Sequence, residues 1–498
     1  MIVKQASEQA QKQVVVIGAG PGGYVAAIRL AQLGQQVTLV EAESLGGTCL
    51  NWGCIPSKAL IEAAGLVDKL KHHGPTMGIT ATDVQVDFPK LMAWKDGVVK
   101  KLTQGIGQLL KANGVTTVMG QASFMDAHTL KVAKVDGTTE TLGFDAAVIA
   151  TGSVSAVPPT LPLDDVVVMD SRQALSLSAL PKQLVLIGGG VIGLELGLFY
   201  HKLGVSVTIV EMAESLLPGV DSDLVGILSR RLKKAKLPVY TQHAANLVGV
   251  SDGIATLAVQ SLKDPDAAPM TLTADVVLVA VGRKPNTQGL ELSAAGLSTT
   301  ERGFVAVNAQ GQTVVPNIYA IGDVAQGPLG GGMLAHRAST EAKMVAEVIS
   351  GQITCADWRA LPAAVFTDPE IGMVGITEQE ALAQGLDIKI GRFPMGASGR
   401  AMTLHETDGL VKLISDAQTG QLLGAHIIGP HASELIASAA LGIELGATAE
   451  DLALTIHTHP TLQETIMEAA EDILGHAVHA ISKPPRAPIK KALAGVSA

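Results

Sequence analysis

The chain has 498 residues, which is too long for one ordinary core and predicts about three or four domains. Its formal net charge of -10 at pH 7 argues against a nucleic-acid partner or an acidic membrane surface. Hydrophobic residues make up 47% of the chain, yet no uninterrupted apolar run reaches the roughly 18 residues needed to cross a bilayer. The polar N-terminal segment lacks the apolar core of an export signal, so we expect a cytoplasmic protein with no membrane partner.

The first unit begins with a short apolar run at residues 14–17, which predicts a strand and leads into a glycine-rich turn. A helical pattern follows at residues 24–33, and a second strand pattern at residues 36–40 ends at an acid. In a dinucleotide-binding unit of this order, the first glycine forms the turn and the second lets a pyrophosphate approach. The third lets the helix pack on the strand, and the acid binds a ribose diol. The expected cofactor contacts are Gly18, Gly20, Gly23 and Glu41.

The next segment contains two cysteines, Cys49 and Cys54, five positions apart. In an ideal helix, positions i and i+5 lie roughly 8 to 9 Å apart, beyond the span of about 4.4 to 6.8 Å that a disulfide tolerates. A bridge therefore needs a distorted turn, which Gly53 and Pro56 allow. Because so short a loop restricts the unfolded chain little, redox exchange explains such a bond better than stabilisation does. Idle thiols and half of a zinc site are the alternatives, although the sequence offers no second cysteine pair.

The same nucleotide-binding plan recurs with strand patterns at residues 184–187 and 205–210 around a glycine turn and a helix. In both copies the acid lies 23 residues after the first glycine, at positions 18 and 41 and at positions 188 and 211. Two complete matches at one spacing indicate a repeat rather than glycine turns that merely pack sheets. The cysteine segment lies inside the first, longer copy as an insertion. The expected contacts of the second nucleotide are Gly188, Gly190, Gly193 and Glu211.

The last part of the chain changes to alternating strands and turns. Residues 410–414 and 422–428 predict an antiparallel hairpin around a Gln-Thr-Gly turn. Apolar helical patterns follow at residues 433–445 and 462–474, and helices this apolar need a partner surface.

The segment GGTCLNWGCIPSK at residues 46–58 resembles the active-site segment of the pyridine nucleotide-disulfide oxidoreductases, and the resemblance covers roughly residues 14–480. It implies that FAD occupies the first nucleotide site and a nicotinamide nucleotide the second, with a redox-active disulfide between Cys49 and Cys54. The acid of the second copy favours NAD over NADP, because a carboxylate repels a 2′-phosphate. The form of the segment implies oxidation of dihydrolipoamide to lipoamide, with electrons passing through the disulfide and FAD to NAD⁺.

The resemblance also implies residue roles outside the glycine turns. Lys58 is expected to lie near the flavin and to pair with Glu195, where a charged lysine would stabilise a reduced flavin anion. As ordinary surface charges the two would have no role. Further expected FAD contacts are Lys58, Gly120, Thr151, Gly152, Ser153, Asp323 and Ala335. Further expected NAD contacts are Glu195, Gly282 and Arg283.

The segment His457-Thr458-His459-Pro460-Thr461-Leu462-Gln463-Glu464 contains a motif that resembles the family's HPTLSE motif, with Gln463 in place of serine. The resemblance makes His459 the base and Glu464 its orienting carboxylate, supplied to the cysteines by the partner subunit. A dithiol must lose a proton before it attacks a disulfide, and histidine can accept one at neutral pH. Taken alone, either histidine would more often be a plain loop residue.

The resulting expectation is an α/β fold with two Rossmann-like dinucleotide-binding domains and a C-terminal α+β dimerisation domain. The expected limits are 1–153 for the first part of the FAD-binding domain, 154–281 for the NAD-binding domain, 282–355 for a central domain that completes the FAD site, 356–480 for the interface domain and 481–498 for a flexible tail. The glycine-rich link at residues 327–332 is longer than is usual in the family.

The expected partners are a second copy of the chain and the lipoyl domains and acyltransferase (E2) core of a 2-oxo acid dehydrogenase complex, or a glycine cleavage complex. No metal site is predicted. One alternative is a related disulfide reductase of the glutathione or mercuric reductase kind. Another is a flavin-bound docking subunit whose main role is assembly.

Overall fold

The computed structural model describes residues 11–328, 330 and 332–481. The predicted tail lies outside the described residues except for Ile481, and so do Leu329 and Gly331 of the glycine-rich link. Within the described ranges, no helix combines the length and the apolar character that crossing a membrane requires.

The first unit is built on parallel strands that read as continuous apolar runs, because both faces of the sheet are covered. The elements are β1 (Gln13–Ile17), α1 (Pro21–Gln32), β2 (Gln36–Glu41), α2 (Gly47–Trp52), α3 (Cys54–Asp68), α4 (Phe88–Ala112), β3 (Thr116–Met119), β4 (Gln121–Phe124), β5 (Thr129–Ala133), β6 (Thr139–Gly143), β7 (Ala146–Ile149) and β8 (Ser153–Ser155). Strand β1 pairs with β2 and β7, and β2 pairs with β3, all in parallel. Strands β4, β5 and β6 form a separate antiparallel meander.

The second unit repeats this architecture. The elements are β9 (Val168–Met169), α5 (Ser171–Ala174), β10 (Gln183–Ile187), α6 (Val191–Lys202), β11 (Ser206–Glu211), α7 (Ser222–Lys234), β12 (Val239–Thr241), β13 (His243–Ser251), β14 (Ile254–Ser261), β15 (Met270–Ala274) and β16 (Val276–Val279). The parallel sheet has the strand order β12-β11-β10-β16-β9, and β13, β14 and β15 form the antiparallel meander.

The chain then returns to the first unit. The elements of this return are β17 (Arg283–Pro285), β18 (Val305–Ala306), β19 (Ile318–Ala320), β20 (Ala325–Gln326) and α8 (Ala335–Ile349). Strand β17 pairs antiparallel with β8, so the two crossings between the units form one ribbon. Strand β19 joins the edge of the first sheet beside β7, which completes the order β19-β7-β1-β2-β3.

The C-terminal domain is an antiparallel sheet covered by helices. The elements are β21 (Ala363–Val365), β22 (Glu370–Gly375), α9 (Glu378–Ala383), β23 (Ile388–Pro394), α10 (Gly399–Leu404), β24 (Leu410–Asp416), β25 (Leu422–Gly429), α11 (Ala432–Leu445), α12 (Ala449–Leu454) and α13 (Glu464–Leu474). The strand order is β21-β22-β25-β24-β23, and the predicted hairpin is confirmed as β24 and β25. Short 3-10 or π turns lie at Lys69–His73, Gly74–Met77, Leu292–Ala295, Gly322–Val324 and Met395–Ala397.

A buried ion cluster ties the C-terminal domain to the second unit. Lys412 is 1% exposed, and its ammonium lies 2.8 Å from Asp221, 2.9 Å from Asp223 and 2.6 Å from Glu378. Arg392 also contacts Asp223 and Glu378. Burial opposes the charge of Lys412, but the hydrogen bonds from its carboxylate partners raise its pKa overall. The cluster therefore holds the C-terminal domain against the start of α7.

The predicted fold class is confirmed, while the domain limits stay predictions. One local difference concerns α1, which begins at Pro21 rather than at Tyr24. Proline suits the first turn of a helix, because its fixed φ matches the helix and an N–H at that position would have no partner within the helix.

Candidate functional site

The first glycine turn leaves no room for side chains between its strand and helix. Gly18 has φ +97°, and a Cβ on it would lie 2.5 Å from the carbonyl oxygen of Ala150. A Cβ on Gly23 would lie 1.7 Å from the carbonyl oxygen of Gly18. Helix α1 starts after Gly20 without a side-chain cap, so its first N–H groups are available to an anion.

The acid of this copy is held by backbone N–H groups of the glycine turn and of the residues that follow it. Glu41 is 7% exposed, and its Oε2 accepts the backbone N–H of Ala19 at 2.6 Å. Its Oε1 accepts the N–H groups of Glu43 at 2.7 Å and Ser44 at 3.1 Å. The N–H of Gly120 also donates to the Glu41 carbonyl at 2.8 Å. A cradle without side chains, a free helix N-terminus and a fixed carboxylate together fit one half of a dinucleotide.

The second turn has the same geometry. Gly188 has φ +105°, and a Cβ on it would lie 2.4 Å from the carbonyl oxygen of Ala280. Glu211 accepts the N–H of Gly189 through Oε2 at 2.5 Å and that of Ala213 through Oε1 at 2.6 Å. Helix α6 also lacks a side-chain cap at Gly190. These residues fit a second dinucleotide.

The predicted distorted turn between the cysteines is confirmed. Helices α2 and α3 meet at Gly53, whose φ of -143° and ψ of -113° break the helix. A Cβ on Gly53 would lie 2.7 Å from the carbonyl oxygen of Thr48, so this approach requires glycine. The break brings the Cα atoms of Cys49 and Cys54 to 4.6 Å, and the two residues form a disulfide.

Two features of its surroundings make this disulfide suitable for thiol–disulfide exchange. Cys54 is the first residue of the 15-residue helix α3, and a helix N-terminus stabilises a thiolate. The start of α2 also packs on the first glycine turn, because a Cβ on Gly47 would lie 2.6 Å from the Cα of Gly20. The redox segment therefore lies against the first nucleotide site.

The predicted pairing of Lys58 with Glu195 is present and includes a third residue. Lys58 Nζ lies 2.6 Å from Oε2 of Glu195, which is 3% exposed. The other oxygen, Oε1, accepts the backbone N–H of Phe366 at 2.9 Å. The centroid of the Phe366 ring lies 4.6 Å from the same ammonium. The carboxylate and the ring thus hold a positive charge where the first unit, the second unit and the C-terminal domain meet.

The remaining residues predicted to contact FAD lie at the start of β8, beside β17, and in the chain that follows β19. Thr151 donates to the carbonyl oxygen of Asn286 at 2.6 Å, and the carbonyl of Gly152 accepts the N–H of Asn286 at 2.9 Å. Ser153 donates through its hydroxyl to Asp323 Oδ2 at 2.6 Å. The last member of this group is the first residue of α8, Ala335.

The side chain of Arg283 contacts the first unit. Its Nε donates to the hydroxyl of Ser153 at 2.7 Å, while its expected place beside the nicotinamide nucleotide stays a prediction. Its Nη2 donates to the carbonyl oxygen of Ser153, also at 2.7 Å. The antiparallel pairing of β17 with β8 causes this placement, because it lays Arg283 along the strand that contains Ser153. Gly282 precedes it with φ +135° and is exposed.

His459 and Glu464 form the predicted pair, with 2.8 Å between Nδ1 and Oε1. Oε2 of Glu464 accepts the N–H of Thr461 at 2.8 Å. Burial opposes the charge of Glu464, but the bonds from Thr461 and His459 lower its pKa overall. The imidazole is 80% exposed, and within the described residues its Nε2 has no hydrogen-bond partner. No hydrogen bond in the described chain joins it to the cysteines.

Sequence reasoning missed several contacts at this site. Phe366 follows β21 without any local motif, so nothing in the sequence signals its contact with Lys58. Arg172 stacks on Trp52 of the redox segment at 4.0 Å and forms an ion pair with Glu43. Glu341 has a weak signal, since it forms an i,i+4 ion pair with Arg337 on α8. In the part of the chain that the structure describes, no group of three or more His, Cys, Asp or Glu residues could hold a metal ion.

Comparison with known proteins gives matches over nearly the whole chain. Residues 12–342 match the family described as pyridine nucleotide-disulphide oxidoreductase, and residues 361–470 match its dimerisation domain. Dihydrolipoyl dehydrogenase of Halobacterium salinarum is 48% identical, covering 94% of this chain and 98% of that protein. Dihydrolipoyl dehydrogenase of Geobacillus stearothermophilus is also 48% identical, covering 95% and 98%.

Solved structures agree with these matches. The crystal structure of LpdA from Mycobacterium tuberculosis has a TM-score of 0.84 at 27% identity, covering 92% of this chain and 99% of that one. The copper(II) complex of RclA from Escherichia coli, an HOCl-induced flavoprotein disulfide reductase, has a TM-score of 0.81 at 28% identity, covering 93% and 99%. The chain therefore belongs to the pyridine nucleotide-disulphide oxidoreductase family, whose cofactors are FAD and NAD(H).

Proposed function

We propose that this protein oxidises dihydrolipoamide to lipoamide and passes the electrons to NAD⁺. The observation that carries the proposal is the Cys49–Cys54 disulfide. It lies in the redox segment whose Gly47 packs on the first glycine turn, and Cys54 precedes Lys58 by four residues. The relatives at 48% identity are dihydrolipoyl dehydrogenases, which supports this substrate over other disulfides and dithiols. Intact cysteines and an intact His459–Glu464 pair argue against a purely docking role.

The two nucleotide sites have different proposed occupants. FAD binds to the first, because the redox segment packs on that turn and a flavin accepts electrons from a dithiol. Its proposed contacts are Gly18, Gly20, Gly23, Glu41, Lys58, Gly120, Thr151, Gly152, Ser153, Asp323 and Ala335. NAD binds to the second, where its proposed contacts are Gly188, Gly190, Gly193, Glu195, Glu211 and Gly282.

The chemistry of the chain's own residues is a dithiol–disulfide exchange. One thiolate of the substrate attacks the sulfur of Cys49, the disulfide breaks, and Cys54 leaves as a thiolate at the N-terminus of α3. The second substrate sulfur then attacks the first, which releases the cyclic disulfide product and leaves Cys49 reduced. When bound, FAD and NAD⁺ would supply the chemistry that accepts the two electrons from the reduced cysteines.

The proton from the dithiol goes to His459 of the partner subunit in this proposal. Glu464 binds Nδ1 and so leaves Nε2 as the basic nitrogen, and the carboxylate stabilises the imidazolium that forms. The exposed imidazole and its unoccupied Nε2 in the described chain support a role completed by a second copy. The match to the family's dimerisation domain supports a homodimer.

The wider setting is also a proposal. We place the dimer on the acyltransferase core of a 2-oxo acid dehydrogenase complex or in a glycine cleavage complex, where lipoyl domains deliver the substrate. A cytoplasmic location suits a disulfide that is opened in every turnover, because the reducing compartment disfavours persistent bridges.

The direct test offers the purified enzyme two substrate pairs. We expect NADH to form rapidly from NAD⁺ and dihydrolipoamide, and no reduction of glutathione disulfide by NADPH. Turnover of glutathione disulfide without turnover of dihydrolipoamide would refute the proposed substrate but leave the family unchanged. Gel filtration with light scattering tests the dimer, since a fully active monomer would refute the role of His459 of the partner subunit.

A further inference from the structure

Asp323 is held from two sides in the structure. The N–H of Gly322 donates to Glu341 at 2.7 Å, which fixes the backbone beside Asp323 to helix α8. The hydroxyl of Ser153 donates to Oδ2 of Asp323 at 2.6 Å. Among the described residues, none donates to the other oxygen, Oδ1. One oxygen of this carboxylate is therefore oriented by the protein while the other is available to a ligand hydroxyl.

The orientation of Ser153 depends on Arg283. A serine hydroxyl has one proton to donate, and its lone pairs accept hydrogen bonds. Because the Nε of Arg283 donates to this oxygen at 2.7 Å, the serine proton is directed to Asp323. The Nη2 bond to the Ser153 carbonyl fixes the guanidinium in two places at once. Ser153 is 7% exposed, so water competes little for these bonds.

We propose that Arg283 is a positioning residue for FAD, which acts through Ser153 to orient the carboxylate of Asp323. The inference rests on the proposed FAD site at the first glycine turn. It gives Arg283 a role in retaining the flavin, although it lies on the strand by which the chain leaves the NAD-binding unit. The β8–β17 ribbon, which connects the two units, would thereby also help to retain FAD.

The test measures FAD release from the diluted holoenzyme by the rise in flavin fluorescence. We expect Arg283→Met and Ser153→Ala each to raise the FAD dissociation constant by about ten- to a hundred-fold, as for the loss of a hydrogen bond to a charged group. We call the hydrogen bonds from Arg283 to Ser153 and from Ser153 to Asp323 the relay. Ser153→Ala removes only the hydroxyl and so tests this relay while the guanidinium is retained. Lys284→Met is the matched control, because Lys284 is the exposed neighbour on the same strand and should leave FAD release unchanged.

A double-variant cycle separates a relay from two independent contacts. In a relay, Arg283→Met combined with Ser153→Ala releases FAD no faster than Ser153→Ala alone, and the dissociation constant of NADH stays unchanged throughout. Multiplied effects on FAD release would overturn the proposal. So would a weaker affinity for NADH in Arg283→Met but not in Ser153→Ala, since that result would return Arg283 to the nicotinamide nucleotide.

The proposed function and this inference fail in different ways. Wild-type protein that holds no FAD would refute the proposed site itself. Wild-type protein that holds FAD tightly, with unchanged release in both single variants, would refute only the role of Arg283 and Ser153.

Discussion

The two glycine turns of this chain share their backbone geometry but differ in what covers them. In both, a Cβ on the first glycine would lie about 2.5 Å from a carbonyl oxygen, at Gly18 and at Gly188. In the first turn, Gly47 of the redox segment packs against Gly20. At the matching positions, a Cβ on Gly20 would meet only the Cα of Gly47, at 4.0 Å, and a Cβ on Gly190 would meet nothing within 4 Å. We call the first turn closed because Gly47 packs on it, and the second turn open.

This difference suits the two proposed occupants. We expect FAD at the closed turn to be retained between turnovers. We expect NAD at the open turn to enter and leave in each turnover, as a co-substrate must. Lys58 of the insertion in the first copy forms an ion pair with Glu195 on α6 of the second copy. The insertion that distinguishes the two copies therefore also joins them.

The largest effect is expected when the redox function of the insertion is removed. Replacing both Cys49 and Cys54 by serine should lower dihydrolipoamide turnover by roughly 10⁶-fold, the order seen when a protein nucleophile is lost. FAD should stay bound, because the glycine turn and Glu41 are unchanged. Activity assays and the visible flavin spectrum check both statements. Cys355→Ser is the matched control, since Cys355 is free and exposed. Unchanged turnover in the double variant would refute the proposed mechanism.

The next effect concerns the junction between the copies. Lys58→Met leaves the buried carboxylate of Glu195 without its cation and should lower the free energy of unfolding by about 3 kcal/mol. The low end of the usual range applies, because the Lys58 side chain is 33% exposed. Urea unfolding measures the change. Lys134→Met breaks a surface ion pair with Glu140 and should change stability little. Equal losses in the two variants would show that the junction is no more than a surface contact.

A matched pair of glycine substitutions tests the closed and open turns directly. Gly47→Ala places a Cβ 2.6 Å from Gly20 at φ +57° and should cost about 1–3 kcal/mol of stability. It should also release FAD faster. Gly190→Ala meets no protein atom within 4 Å, so stability should hold while the dissociation constant of NADH rises by roughly ten-fold, because a Cβ hinders the pyrophosphate. The comparison fails if both variants release FAD, or if neither changes NADH affinity.

The smallest effect is a dependence of stability on pH at Glu464. The folded pKa of this carboxyl lies below its ordinary value of 4.5, so its contribution is complete above that pH. The contribution disappears as the pH falls through the lowered pKa. We expect Glu464→Gln to reduce the loss of stability in this acid range by less than about 1 kcal/mol. Urea unfolding of both proteins between about pH 6 and pH 3 shows whether their curves converge. Parallel curves would contradict the prediction.

Local signals in the sequence predicted the repeated parts of the molecule. The glycine turns with their acids at one spacing predicted both nucleotide units, and Gly53 predicted the break that brings Cys49 and Cys54 together. These features depend on residues close in sequence, where backbone geometry limits the choice of side chain. The pairing of Lys58 with Glu195 came from the family resemblance rather than from the residues themselves.

Contacts between distant segments were not predictable in this way. Phe366 lies 171 residues from Glu195, and Arg283 lies 130 residues from Ser153. Which side chains meet there depends on how whole domains pack and on the register of the β8–β17 ribbon. A single sequence contains no periodic or spacing signal for either contact. For this reason the sequence did not predict the contact of Arg283 with Ser153.

The most direct test of the proposed electron transfer is an anaerobic titration of the yellow holoenzyme with dihydrolipoamide, followed by addition of NAD⁺. We predict a long-wavelength absorption band from the Cys54 thiolate and the flavin, which NAD⁺ removes while NADH forms. A flavin that is reduced by NADH but does not respond to dihydrolipoamide would contradict the proposed function, because electrons would then not enter through the Cys49–Cys54 disulfide from this substrate.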